Sequence, residues 1–256
     1  MNSAHSSWMS TGYAGLPYGE LEQLHGGSVS VLGVPVEGGQ GPRIGAAPAP
    51  DILRKLSKQL EINLPAQGLD LGNLSVSGDW SARLIELVQQ IARRHAKPVV
   101  LGGASDVALA VLEAFPDAPV VAAMPTVRPE LVARQSDTFW LGLNGDQPAD
   151  VWAEVDRRKQ HWRTARQLDE QPSGPLQAPD RAILWLDMSV IDLGHAAGTI
   201  GLNPGGLKPQ TLVDSVQQMT CDWQSIVITG MAPELDTRGV TELVALETIN
   251  AALRNG

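Results

Sequence analysis

The 256-residue chain carries 28 acidic against 19 basic side chains, a formal charge of -9. That balance argues against nucleic acid, because phosphate binding draws on clustered Lys and Arg. Hydrophobic residues make up 43% and charged residues 18%, and no apolar run approaches the ~20 residues needed to cross a bilayer, so one globular domain and no membrane partner are expected.

Residues 1–10 hold neither a basic patch nor an apolar stretch, so no secretory signal is expected and the cytoplasm is the expected location. Cys221 is the single cysteine, which excludes an internal disulfide and a cysteine metal cluster. Residues 1–28, polar and rich in Ser, Gly and Tyr, are expected to form an arm rather than part of the core, leaving one domain over 29–256.

From there short apolar runs alternate with helical spacing. Residues 28–34 read as a buried strand. Residues 50–60 read as a helix with Pro50 in its first turn and Ile52, Leu53, Leu56 and Leu60 on one face. Residues 81–95 read as a longer helix, with Leu84, Leu87, Val88 and Ile91 inward and Arg93 and Arg94 suiting its C-terminal dipole. A strand over 98–101 meets the Gly102-Gly103 punctuation, then a helix over 104–115. Further strands are expected at 120–123, 138–143, 183–187 and 226–229, and helices at 149–159, 209–220 and 241–253. Residues 167–179, rich in Pro, Gly and polar residues, read as a surface loop. Strands alternating with helices of ten or more residues imply a mainly parallel sheet covered on both faces, a three-layer α/β/α domain.

Six blocks carry a resemblance. Tyr13-Ala14-Gly15-Leu16-Pro17 comes first, then Leu32-Gly33-Val34-Pro35, then the Arg43 to Arg54 block with its Gly45, Ala46 and Pro50. Asp70-Leu71-Gly72-Asn73 follows. Asp187-Met188-Ser189-Val190-Ile191-Asp192 leads into a Gly- and Pro-rich loop ending Gly205-Gly206-Leu207, and Pro233-Glu234-Leu235-Asp236 precedes Thr241. In this order they resemble the ureohydrolases (arginase, agmatinase and relatives), in particular the agmatinase-like branch, over nearly the whole chain. The resemblance implies an arginase-like fold.

It also implies where chemistry should sit. Ureohydrolases use two manganese or nickel ions bridged by hydroxide, which needs hard carboxylate and imidazole ligands. The family supplies them in Gly-Gly-Asp-His-Ser, Asp-Ala-His-x-Asp and Asp-x-Asp motifs. Here the first aligns with Gly102-Gly103-Ala104-Ser105-Asp106, placing Ser105 at the histidine. The second aligns with Ala123-Met124-Pro125-Thr126-Val127, placing Ala123, Pro125 and Val127 at the ligands. The third keeps Asp187 and replaces its partner by Ser189, and the substrate-steadying acid aligns with Gly230. One ligand of six remains, so a divalent cation is not expected in this chain.

The remaining polar residues have plainer readings. Asp187 is expected to act as a strand-end cap paired with Ser189, and Asp106 to cap the helix behind the Gly-Gly turn. None of the five histidines falls on a ligand position; His195 lies nearest. A triad of Ser105, Asp187 and a histidine lacks a nucleophile-elbow motif. Trp152 and Trp162 are core residues or partner anchors; the sequence leaves both open. The expected function is that of a non-catalytic ureohydrolase-like subunit assembled with an active, metal-bearing paralogue, or with itself in a trimer or hexamer. Manganese or nickel would then belong to the active partner. The alternative is a metal-free binding or regulatory protein whose cleft is lined by Ser105, Met124, Asp187 and Ser189; a metal-free enzyme comes last.

Overall fold

In the computed structural model, which describes residues 11–38, 43–171 and 178–255, eight strands form one sheet in which every pairing is parallel. They are β1 (Val29–Val34), β2 (Gly68–Asn73), β3 (Lys97–Gly102), β4 (Val120–Ala123), β5 (Thr138–Leu143), β6 (His161–Thr164), β7 (Arg181–Asp187) and β8 (Asp222–Thr229). The spatial order is β2-β1-β3-β8-β7-β4-β5-β6. Parallel neighbours need crossovers, and helices supply them: α1 (Ala49–Gln59), α2 (Trp80–Arg93), α3 (Asp106–Glu113), α4 (Pro129–Val132), α5 (Ala149–Arg157), α6 (Ala165–Glu170), α7 (Pro209–Gln218) and α8 (Val240–Asn255).

Strand residues alternate between two cores, because successive side chains leave a strand on opposite faces. Val99 and Leu101 of β3, Val121 and Ala123 of β4, and Leu184 and Leu186 of β7 join Leu53 of α1, Leu168 of α6, Leu212 of α7 and Ile249 of α8. Val100, Val120, Ala122, Ile183 and Trp185 point the other way, onto Leu84 of α2, Val107 of α3, Leu131 of α4 and Val155 of α5. The three layers expected from the sequence are therefore present. Among the described residues no helix is long and apolar enough to cross a membrane.

Four features differ from the sequence reading, the first being the unanticipated one-turn helix α4. The edge strands β2 and β6 were not anticipated: Gly68–Asn73 reads GLDLGN and His161–Thr164 reads HWRT, neither with the apolar run of a buried strand. Helix α6 begins inside the segment read as loop, started by a reciprocal cap in which Thr164 Oγ1 accepts from the Gln167 N–H and Gln167 Oε1 accepts from the Thr164 N–H; residues 172–177 of that segment lie outside the described residues. The N-terminal segment is no detached arm. From Thr11 onward it lies along the β2 edge, with Tyr13, Leu16 and Leu24 buried; residues 1–10 lie outside the described residues.

The binding of that segment explains three of the sequence blocks at once. The Tyr13 N–H donates to Asp70 Oδ2 at 2.7 Å, and the Arg54 guanidinium grips both Asp70 oxygens at 2.8 and 3.0 Å. Arg54 also donates to the Gly72 carbonyl and to Asn73, and the Ala14 N–H donates to Ser57 Oγ. Asp70 is fully buried and Arg54 is 5% exposed. Buried charge persists only where it is paired and hydrogen-bonded, and here both conditions hold.

Candidate functional site

At the C-terminal ends of the strands a cleft of about 430 Å³ opens above β3, β8, β7 and β4. Chain neighbours β3 and β4 stand apart there with β8 and β7 between them, which separates the loops they feed and leaves a crevice. Gly103 lets the floor approach closely: a Cβ at that position would stand 2.1 Å from the Val36 carbonyl oxygen. The loop after β7 forms one wall. It is held by Asn203, which donates to the Val190 carbonyl, and by Thr241, whose Oγ1 accepts from the Gly198 N–H. Thr241 in turn donates its N–H and hydroxyl to Asp236, both at 2.7 Å, so the last sequence block braces the wall.

Five of the seven expected cleft residues line this space: Ser105, Pro125, Asp187, Ser189 and Gly230. Ala123 and Val127 do not. Ala123 is fully buried in the core facing α1 and α8, and Val127, 3% exposed, packs in the opposite core. The residues of this stretch that line the cleft are Met124, Pro125, Thr126 and Arg128. In this stretch the structure therefore turns Met124, Thr126 and Arg128 to the cleft where the sequence reading placed Ala123 and Val127.

Asp187 ends β7 at the cleft floor and accepts from the Ser189 N–H at 2.9 Å, the strand-end cap anticipated from the sequence. Ser189 Oγ accepts from the Gly201 N–H at 3.0 Å, tying floor to wall. Enclosure by protein pushes the Asp187 carboxyl above its usual range, opposed by hydrogen bonds from Ser189 and Ser105 and by the charge of Arg128. Gly230, at φ +79°, leaves no room for a side chain: its Cβ would fall 2.2 Å from Asp187 Oδ1. Asp106, expected as a cap, instead sits exposed in the first turn of α3 without a capping hydrogen bond.

Arg128 and Glu130 were missed by the sequence reading; counting two residues at a time from Met124 would have found Arg128. Its Nε and Nη2 donate to the two Glu130 oxygens at 3.4 and 3.2 Å, and its guanidinium carbon lies 5.4 Å from the centre of the Trp185 ring. Burial alone would raise the Glu130 carboxyl, but Arg128 holds it below the ordinary value. Among the described residues no three His, Cys, Asp or Glu side chains come together as a ligand set for a metal ion.

The comparisons place this geometry among known proteins. Residues 27–124 match the model of the arginase family. No curated protein matches the chain by sequence. Among solved structures, proclavaminate amidino hydrolase from Streptomyces clavuligerus superposes with a TM-score of 0.79 at 19% identity, covering 96% of each chain. The agmatine ureohydrolase of Thermoplasma volcanium gives 0.77 at 17% identity, covering 93% of this chain and 91% of that one. Trypanosoma cruzi formiminoglutamase, solved with Mn²⁺, gives 0.74 at 18% identity, covering 88% and 91%.

Proposed function

We infer that this chain, a member of the ureohydrolase superfamily by its fold and its arginase-family segment, is a non-catalytic subunit that assembles with an active paralogue in the cytoplasm. One observation carries the reading. The cleft keeps its walls, its Gly-Gly floor and its Asp187, yet Asp187 stands among Ser105, Met124, Thr126, Arg128 and Ser189, while the other lining carboxylates, Asp106 and Glu130, are exposed and Glu130 is taken up by Arg128. The residues present do not fit a pair of manganese or nickel ions. Hydroxyls and a thioether displace hydration water poorly, and a guanidinium repels the ion. A chain that preserves packing while changing the chemistry fits a role in building an assembly, with the metal chemistry in the partner.

Purification of the tagged chain from its native host, with mass spectrometry of what accompanies it, tests this. A stoichiometric ureohydrolase carrying an intact Asp-Ala-His-x-Asp motif is the expected result. Recovery of the chain alone, or only with itself, overturns the pairing with an active paralogue.

The cleft itself favours a second reading, a metal-free binding or regulatory protein. A space of about 430 Å³ is in the range that takes a small ligand, and hydroxyls and Arg128 could orient one. Stabilisation of the isolated chain by a small molecule, with no partner present, would support it.

A further inference from the structure

Three carboxylates line the cleft, Asp106, Glu130 and Asp187, against one basic side chain among its described lining residues, Arg128. Like charges gathered in a partly enclosed space raise one another's energy unless a cation stands among them. Arg128 stands there, between Glu130 and the Trp185 ring. Two hydrogen bonds fix its guanidinium to Glu130 on one side, and the Trp185 ring lies against it. Trp185 cannot drift, because it is fully buried and its indole N–H donates to Thr229 Oγ1 at 2.8 Å. The Arg128 charge also acts on Asp187 at the cleft floor. The seat is shaped for a flat, delocalised cation, since a planar fork can pair with a carboxylate and lie against an aromatic ring together, which an ammonium cannot.

We propose that Arg128 is the built-in cation of this cleft: its tethered guanidinium takes the electrostatic place of divalent metal ions and closes the acidic floor to free cations. Its position in the lining, together with Asp106, Glu130 and Asp187, puts a fixed positive charge where a free cation would otherwise have to stand. Truncating the side chain should then uncover a vacant seat for a guanidinium-shaped ion.

The test compares the full-length wild type with Arg128→Ala and Arg128→Lys, using thermal unfolding and calorimetry in guanidinium chloride at millimolar concentration, manganese chloride, and sodium chloride as the salt control. Arg128→Ala should unfold earlier than wild type and bind guanidinium saturably at least tenfold more tightly. The wild type and Arg128→Lys, whose ammonium keeps the charge in place, should respond to guanidinium no more than to sodium. Should Arg128→Ala not fold, Arg128→Met keeps an unbranched stem beside Trp185 and is measured the same way. Uptake of one or more manganese ions per wild-type chain overturns the proposal. So does a truncated variant that responds to guanidinium only as it does to sodium. The guanidinium result leaves the subunit reading untouched, whereas manganese uptake would count against both readings, so the two failures are told apart.

Discussion

Two buried acidic side chains show how the same residue type is stabilised in opposite ways. Asp70 is fully matched by Arg54, the Tyr13 N–H and the Gly72 N–H. Removing one member of such a pair strands the other, so Arg54→Met should cost about 3–5 kcal/mol in urea unfolding. The double variant Arg54→Met/Asp70→Leu should recover part of that loss; a double variant as poor as the sum of the single ones would argue against the coupling. Glu242, 3% exposed at the start of α8, is unmatched: its Oε2 has no hydrogen-bond partner. Burial, with a smaller push from the Asp236 charge, raises its carboxyl from 4.5 to about 7. The folded chain then holds a proton that the unfolded chain releases between those values. Stability should accordingly fall as pH rises from about 4.5 to about 7 and level off above that. Glu242→Gln should flatten this slope and add on the order of 2–3 kcal/mol at pH 8. A pH series of urea midpoints on both proteins decides it. Asp70 was visible in the sequence as part of a motif, whereas nothing local to Glu242 shows that α8 will bury it.

At the scale of elements, sequence legibility followed burial. The six strands read from apolar runs are those flanked on both sides in the sheet. The two that were missed are its edges, where a strand needs fewer apolar residues and β6 carries a partly exposed Trp162. Helix α6 was missed because its stability comes from a cap and from Leu168 rather than from a long apolar stripe. The site was legible to the level of the loop but not of the face. Ser105, Asp187, Ser189 and Gly230, next to fixed glycines or the strand-end aspartate, line the cleft as expected, while in the stretch after β4, which has no such marker, Ala123 and Val127 turn away from it. That difference has a direct consequence. Thr126 is exposed and Val127 buried, so Thr126→Asp should change stability by less than about 1 kcal/mol and Val127→Asp should cost about 3 kcal/mol or more. Equal costs would contradict this placement of the two side chains. Gly230→Ala belongs to the same scale. Its positive φ and the proximity of Asp187 should together cost on the order of 1–3 kcal/mol, read as a lower urea midpoint without a change in slope.

For the whole molecule, the cleft is a product of topology. Its residues come from the ends of β1, β3, β4, β7 and β8, so its shape depends on the strand order and on packing of two continuous cores. In proteins whose ligands converge on a metal, binding free energy enters the folding balance and chelation weakens the fold. Here the floor draws its support from within: the Ser189 N–H donates to Asp187, the Gly201 N–H to Ser189 Oγ and the Thr241 hydroxyl to Asp236, with Arg128 among the acids. The fold should therefore be indifferent to metal removal. Purified chain treated with excess EDTA, then passed through a desalting column, should melt within about 1 °C of untreated protein. For a chain of this size a loss of one kcal/mol moves the midpoint by about 2–4 °C, so even a weakly held structural ion would show. A drop of several degrees that manganese or nickel reverses would mean that the cleft collects ligands from outside its described lining.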